Sequence, residues 1–142
     1  MVLHLLHFRT FAQATEDEEK VTKAMRFASG IERITKSKTG GYHGNPILVL
    51  EAEIKTSKAI DAFFRRFKEE DVRELLDSLE NRVNEECSFF LRLDKQAAFL
   101  GELRLLDSGD IISVSGKIKS YPKRFETAMA NMRTYLQSLL EQ

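Results

Sequence analysis

The stretch Ile31-Glu32-Arg33-Ile34-Thr35-Lys36-Ser37-Lys38-Thr39-Gly40-Gly41-Tyr42-His43-Gly44-Asn45-Pro46-Ile47-Leu48-Val49-Leu50-Glu51-Ala52-Glu53-Ile54 decides the fold class. Its second half is a strand. Leu48, Leu50, Ala52 and Ile54 fall on one face and Glu51 and Glu53 on the other, which is the two-residue period of a half-buried ribbon. Residues 31–38 read as a polar edge strand. Between the two, Gly40 to Pro46 is the strongest loop signal in the chain. So short a loop makes its flanking strands antiparallel neighbours, because a parallel pair needs a long crossover.

Working upstream, residues 2–14 are apolar and β-prone with no helical stripe, and fit a strand. Thr15-Glu16-Asp17-Glu18 matches a capping box, with Thr15 as N-cap and Glu18 at the third helical position. Val21, Ala24, Met25 and Ala28 form that helix's apolar stripe, and Gly30 closes it. Downstream, Ile60, Phe63, Phe64 and Phe67 predict a helix over 57–68, and Val72, Leu75, Leu76, Leu79 and Val83 a second one near 70–84. Residues 87–93 read as a strand, 94–98 as a turn or one helical turn, and 99–106 fit strand or helix. After the turn 107–110 comes a strand over 111–119. Ile112, Val114 and Ile118 point one way there, and Ser113, Ser115, Lys117 and Lys119 the other. Pro122 fits the first position of a final helix with apolar residues from Phe125 to Leu139. The expected fold is α+β: a single domain over 1–142, with helices packed on one face of a mostly antiparallel sheet.

The composition agrees. A chain of 142 residues buries enough surface for a core without disulfides or metal. With 42% hydrophobic and 31% charged residues it is globular rather than disordered. No apolar run approaches the roughly 20 residues of a membrane helix. Met1 to Arg9 has no basic leader and no cleavage site, so it reads as a strand and not a signal peptide. One cysteine, Cys87, excludes an internal disulfide framework and suits a reducing cytoplasm.

Charge is balanced overall, 22 basic against 22 acidic residues, yet it is segregated. Residues 115–125 hold Lys117, Lys119, Lys123 and Arg124 with no acid. Residues 31–45 hold Arg33, Lys36 and Lys38 against Glu32, whereas 65–86 carry five basic and eight acidic residues. A strand face with two hydroxyls (Ser113, Ser115) and two ammonium groups (Lys117, Lys119) suits phosphate oxygens. Lys123 and Arg124 open the next helix, where free backbone N–H groups favour anions. A solvated strand face and an ordinary basic helix start account for the same residues more plainly.

Other constellations carry less chemistry. His4 and His7 lie on opposite faces of a strand and cannot share a metal. His43, beside Tyr42 and Asn45, could stack on a base, touch a phosphate or support its turn. The glycine loop lacks the Gly-Lys-Ser/Thr ending of a nucleotide-binding loop and leads into a strand. Glu51 and Glu53 have no partner motif that would make them an acid/base or metal pair. Cys87 follows two glutamates, which do not favour a thiolate. Asp94 can cap a turn, leaving Lys95 and Gln96 for a ligand. No cofactor, metal site or catalytic residue is expected.

Four segments together resemble an archaeal family of small RNA-binding proteins described as predicted exosome subunits. They are Phe11 to Val21, Gly40 to Ile47 (Gly-Gly-Tyr-His-Gly-Asn-Pro-Ile), Arg92 to Ala98 (Arg-Leu-Asp-Lys-Gln-Ala-Ala) and Lys117 to Pro122 (Lys-Ile-Lys-Ser-Tyr-Pro). They occur in the family's order and span most of the chain. Gln13 departs from the pattern, which has a histidine there. The resemblance implies a fold similar to the large-subunit ribosomal protein that binds 5S RNA, and a role linked to RNA processing. It carries over no catalytic residues.

The expectation is a non-catalytic RNA-binding protein of an RNA-processing complex such as the exosome. Ser113, Ser115, Lys117, Lys119, Lys123 and Arg124 would meet the phosphate backbone. Lys36, Lys38, Lys95, Gln96 and His43 would extend the contact if the fold brings them alongside, and Tyr42 and Tyr121 are the aromatic candidates for stacking. The alternative is a protein-interaction scaffold or homodimer without RNA contact, using the edge strand or the acidic helix.

Overall fold

The computed structural model describes residues 1–39 and 46–141. Among these residues, five strands and five helices follow one another as β1 (Leu6–Ala12), α1 (Glu18–Ser29), β2 (Thr35–Thr39), β3 (Ile47–Ile54), α2 (Ser57–Arg65), α3 (Glu69–Asp77), β4 (Ser88–Asp94), α4 (Lys95–Phe99), β5 (Ile111–Lys117) and α5 (Phe125–Leu140), with a 3-10 turn at Leu79–Asn81. The strands form one antiparallel sheet in the order β2-β3-β1-β5-β4, so the class is α+β as expected. The chain divides into two compact units. Unit 1 comprises Met1–Leu6, Lys55–Leu91 and Ser115–Gln142; unit 2 comprises His7–Ile54 and Arg92–Val114.

In unit 2, β2 pairs antiparallel with β3, Lys36 opposite Leu50 and Lys38 opposite Leu48. Paired residues point to the same side of a sheet. The Lys36 ammonium reaches Glu18 at the start of α1, 3.0 Å away, which fixes that side as the one α1 covers. The other side is marked by His7 of β1, whose Nε2 lies 2.7 Å from Glu51 Oε2 of β3. Alternation then puts Arg9 and Phe11 beside His7 on the side away from α1. Phe8, Met25, Ala28, Leu50, Leu93 and Ile112 make the core of this unit.

In unit 1, Phe63, Phe64 and Phe67 of α2 and the following turn pack edge to face, and Phe64 also meets Phe89 of β4 and Tyr135 of α5. Phe89 therefore faces the helices and Phe90, 43% exposed, faces away. The Ile118 N–H donates to the Cys87 carbonyl at 2.8 Å. Counting back from that bond sets Ser88 opposite Lys117 and Phe90 opposite Ser115. Gly116 is required in this strand, because a Cβ there would lie 2.4 Å from the Leu5 carbonyl oxygen.

Several element boundaries differ from the sequence expectation. The first strand is regular only from Leu6, with Leu3 joined to Ile118 by an isolated bridge. The cap of α1 is Asp17, whose carboxylate accepts from the Glu19 N–H. Two residues closer to the stripe than Thr15, it offers the stronger acceptor. The helix expected near 70–84 ends at Asp77. Ser78 turns its hydroxyl back to the Glu74 carbonyl and the chain tightens into the 3-10 turn. Cys87 precedes β4 rather than opening it and adopts φ 63°, a left-handed conformation unfavourable for a side chain with a Cβ. Residues 100–106 form neither helix nor ladder: Gly101 turns at φ 87° and Leu105 bridges Leu93. The last helix starts at Phe125, three residues beyond Pro122.

Candidate nucleic-acid interface

In unit 1 the end of β5 and the segment after it carry four cations. Gly116 and Ile118 are buried, and Lys117 and Lys119 stand out between and after them. The backbone below is held firmly. The Lys119 N–H donates to the Val2 carbonyl at 2.7 Å, and the Lys119 carbonyl accepts from Asn131 Nδ2 at 3.0 Å. Lys117 Nζ donates weakly to the Glu86 carbonyl at 3.4 Å and lies 3.9 Å from the Glu86 carboxylate. That is a loose, solvent-screened contact of small energy. Lys119, Lys123 and Arg124 are exposed and make no ion pair among the described residues. Arg124 occupies the cap position of α5, where no side chain caps the first turn. Ser115 is half-buried on the same strand side as Lys117. Ser115 and Lys117 share one side of β5 in this unit, and Lys119, Lys123 and Arg124 follow it in the chain, all exposed.

Among the described residues, Lys36, Lys38, Lys95, Gln96 and Ser113 belong to unit 2, where each has its own surroundings. Lys36 and Lys38 lie on the side covered by α1, away from Arg9 and Phe11, and Lys36 is paired with Glu18. Ser113 is exposed. The Lys95 N–H donates to the Asp110 carbonyl at 3.1 Å, a register that sets Ser113 opposite Arg92 of β4. Lys95 is no open cation. It is 3% exposed, and its ammonium is spent on Glu16 Oε2 at 2.8 Å, Asp110 Oδ1 at 2.7 Å and the Phe11 carbonyl at 3.0 Å. Gln96 likewise donates its amide to Asp110 Oδ2 at 2.8 Å. Burial pushes the Asp110 carboxyl up, but hydrogen bonds from Lys95 and Gln96 outweigh it and hold the group below the usual carboxylate range. Asp94 caps α4 as expected, accepting from the Gln96 and Ala97 N–H groups. Lys95 therefore clamps the end of β1, the entry to α1 and the entry to β5, and joins the first and third resembling segments directly.

Tyr42 and His43 lie outside the described residues. Tyr121 is 98% exposed.

Side chains missed by the sequence reading stand on the strands that flank β5. Arg9 and Phe11 are exposed in β1, Phe90 and Arg92 in β4. Phe11 is 44% exposed, with the Arg9 guanidinium 5.2 Å from its ring centroid. Splitting 2–14 by its two-residue period would have exposed Arg9 and Phe11; the adjacent Phe89-Phe90 pair could be divided only once the register was known.

Elsewhere in unit 1, Tyr135 of α5 donates its hydroxyl to Asp61 Oδ1 of α2 at 2.6 Å, and Arg65 binds the other carboxylate oxygen. The Tyr135 hydrogen bond and then the Arg65 contact hold the Asp61 carboxyl below its ordinary value. Burial, with the bond to Asp61, pushes the Tyr135 phenol well above its own.

Comparison with known proteins places the chain in a family. A family model described as RNA binding matches residues 6–118. The RNA-binding protein PAB1135 of Pyrococcus abyssi is 38% identical over 144 residues, covering 94% of each chain. Protein AF2318 from Archaeglobus fulgidus has a crystal structure that superposes with a TM-score of 0.82 at 33% identity, over 93% of this chain and 98% of that one. A DUF54 protein from Methanothermobacter thermautotrophicus gives 0.80 at 34% identity, over 96% and 99%.

Proposed function

This chain belongs to the RNA binding family, and from that premise we propose that it is a non-catalytic RNA-binding protein serving an RNA-processing assembly, of which the exosome is the candidate. The whole chain acts as a single RNA-binding domain on this reading, and kinship with the 5S-RNA-binding ribosomal protein belongs to the same proposal. The observation that carries it is the cationic end of unit 1. Lys119, Lys123 and Arg124 are exposed without an ion pair among the described residues, Lys117 is held only loosely, and Ser115 lies alongside. These groups supply point charges and a hydroxyl for phosphate oxygens, contacts that position RNA without reading its sequence. Lys95 and Gln96 support the scaffold instead of touching RNA.

The test is a fluorescence-anisotropy titration with single-stranded RNA across a salt series. Four phosphate contacts predict a log–log slope of about −3, a loss of roughly 50-fold in affinity between 50 and 200 mM salt. Lys117→Glu with Lys119→Glu reverses two charges and should abolish binding; unchanged binding refutes the placement.

One observation favours the scaffold alternative: β2 lies at the sheet edge and every residue in it is exposed. Lys36 and Lys38 on that edge discourage strand-to-strand pairing, which weighs against it. A sedimentation mass above the monomer, or exosome components that co-purify after nuclease treatment, would support it.

A further inference from the structure

We propose that Phe11 in unit 2 and Phe90 in unit 1 are stacking residues for unpaired bases, which makes single-stranded RNA the preferred ligand. The proposal rests on the RNA-binding reading and deepens it. Both rings are large apolar surfaces left 44% and 43% exposed on strand faces turned away from the helices. Folding gains little from a phenylalanine so placed, since much of its ring stays in water. What surrounds each ring is the second observation. In unit 2, Arg9 lies over Phe11, and Glu51 of β3, on the same side, is engaged by His7. In unit 1, Phe90 faces Ser115 across a close, non-hydrogen-bonded pair, with Ser88 and Lys117 as the next pair along the ladder. A flat aromatic face flanked by cations and hydroxyls matches a nucleotide, which offers a base to stack and a phosphate beside it. A protein partner seeking an apolar anchor would not need the cations. Duplex RNA would not suit the rings, because its bases are already stacked on one another.

The chain contains no tryptophan, so Phe90→Trp and Phe11→Trp each create a unique fluorophore. The experiment titrates each full-length variant with oligouridylate and with a duplex of equal length, reading quenching and anisotropy together. Stacking predicts strong quenching by oligouridylate and little by duplex. Phe90→Ala and Phe11→Ala should each weaken oligouridylate binding about 5- to 150-fold with the salt slope unchanged, whereas Phe→Tyr keeps it. RNA binding by anisotropy without quenching, or alanine variants that bind like the parent, overturns the stacking inference and leaves the RNA-binding reading standing. Absence of binding by the parent chain overturns both. A fall in sedimentation mass for the alanine variants without RNA assigns the rings to a protein interface and also overturns the inference.

Discussion

Lys95 shows how a motif residue can matter without touching a ligand. Its ammonium is almost dry, and three oxygens from three places in the sequence converge on it. Lys95→Met would leave Glu16 and Asp110 facing one another without a cation. Breaking a fully buried pair costs about 3–5 kcal/mol, but both carboxylates here reach solvent, so roughly 2 kcal/mol is expected in a urea melt. The Asp110 carboxyl should rise toward its ordinary value in the same variant, as followed by NMR titration. From the sequence, Lys95 reads as a free cation after an apolar strand. Only the partners it meets, 79 and 84 positions away, reveal its true place. Asp94, by contrast, acts within three residues and was legible at once.

At the scale of elements, alternation made β3 and β5 readable, because buried and exposed residues differ sharply in polarity there. Helix ends were harder. Ser78 could continue a helix or end it, and with φ −103° and ψ 12° it leaves the helical conformation and ends α3. The face of the β4 phenylalanines and the side taken by Lys36 and Lys38 depend on register, which no local pattern contains. The polar tie between α2 and α5 was equally hidden, being one hydrogen bond between Asp61 and Tyr135 beside the Phe64–Tyr135 ring contact. Its pH consequence follows from the two shifted groups. A carboxyl depressed in the folded state contributes stability above its unfolded value near pH 4, and that stability fades as pH falls through the lower folded value. A phenol raised in the folded state contributes below its unfolded value near pH 10, and its contribution fades as pH climbs beyond. Tyr135→Phe should therefore flatten both limbs of the stability profile measured by thermal melts, and should cost about 1 kcal/mol at neutral pH from the lost hydrogen bond.

For the whole molecule, zero net charge and RNA binding are compatible because electrostatic attraction is local under physiological screening, reaching about 8 Å. On the proposed reading the four basic residues of 115–125 would act within that range of a docked backbone, and the acidic surplus of 65–86 belongs to a different stretch of the chain. The most direct measurement is the salt dependence of RNA affinity for the parent chain and for the Lys117→Glu, Lys119→Glu double variant. The account predicts a slope of about −3 for the parent and no measurable binding for the variant. Equal affinities and equal slopes for the two proteins would contradict it.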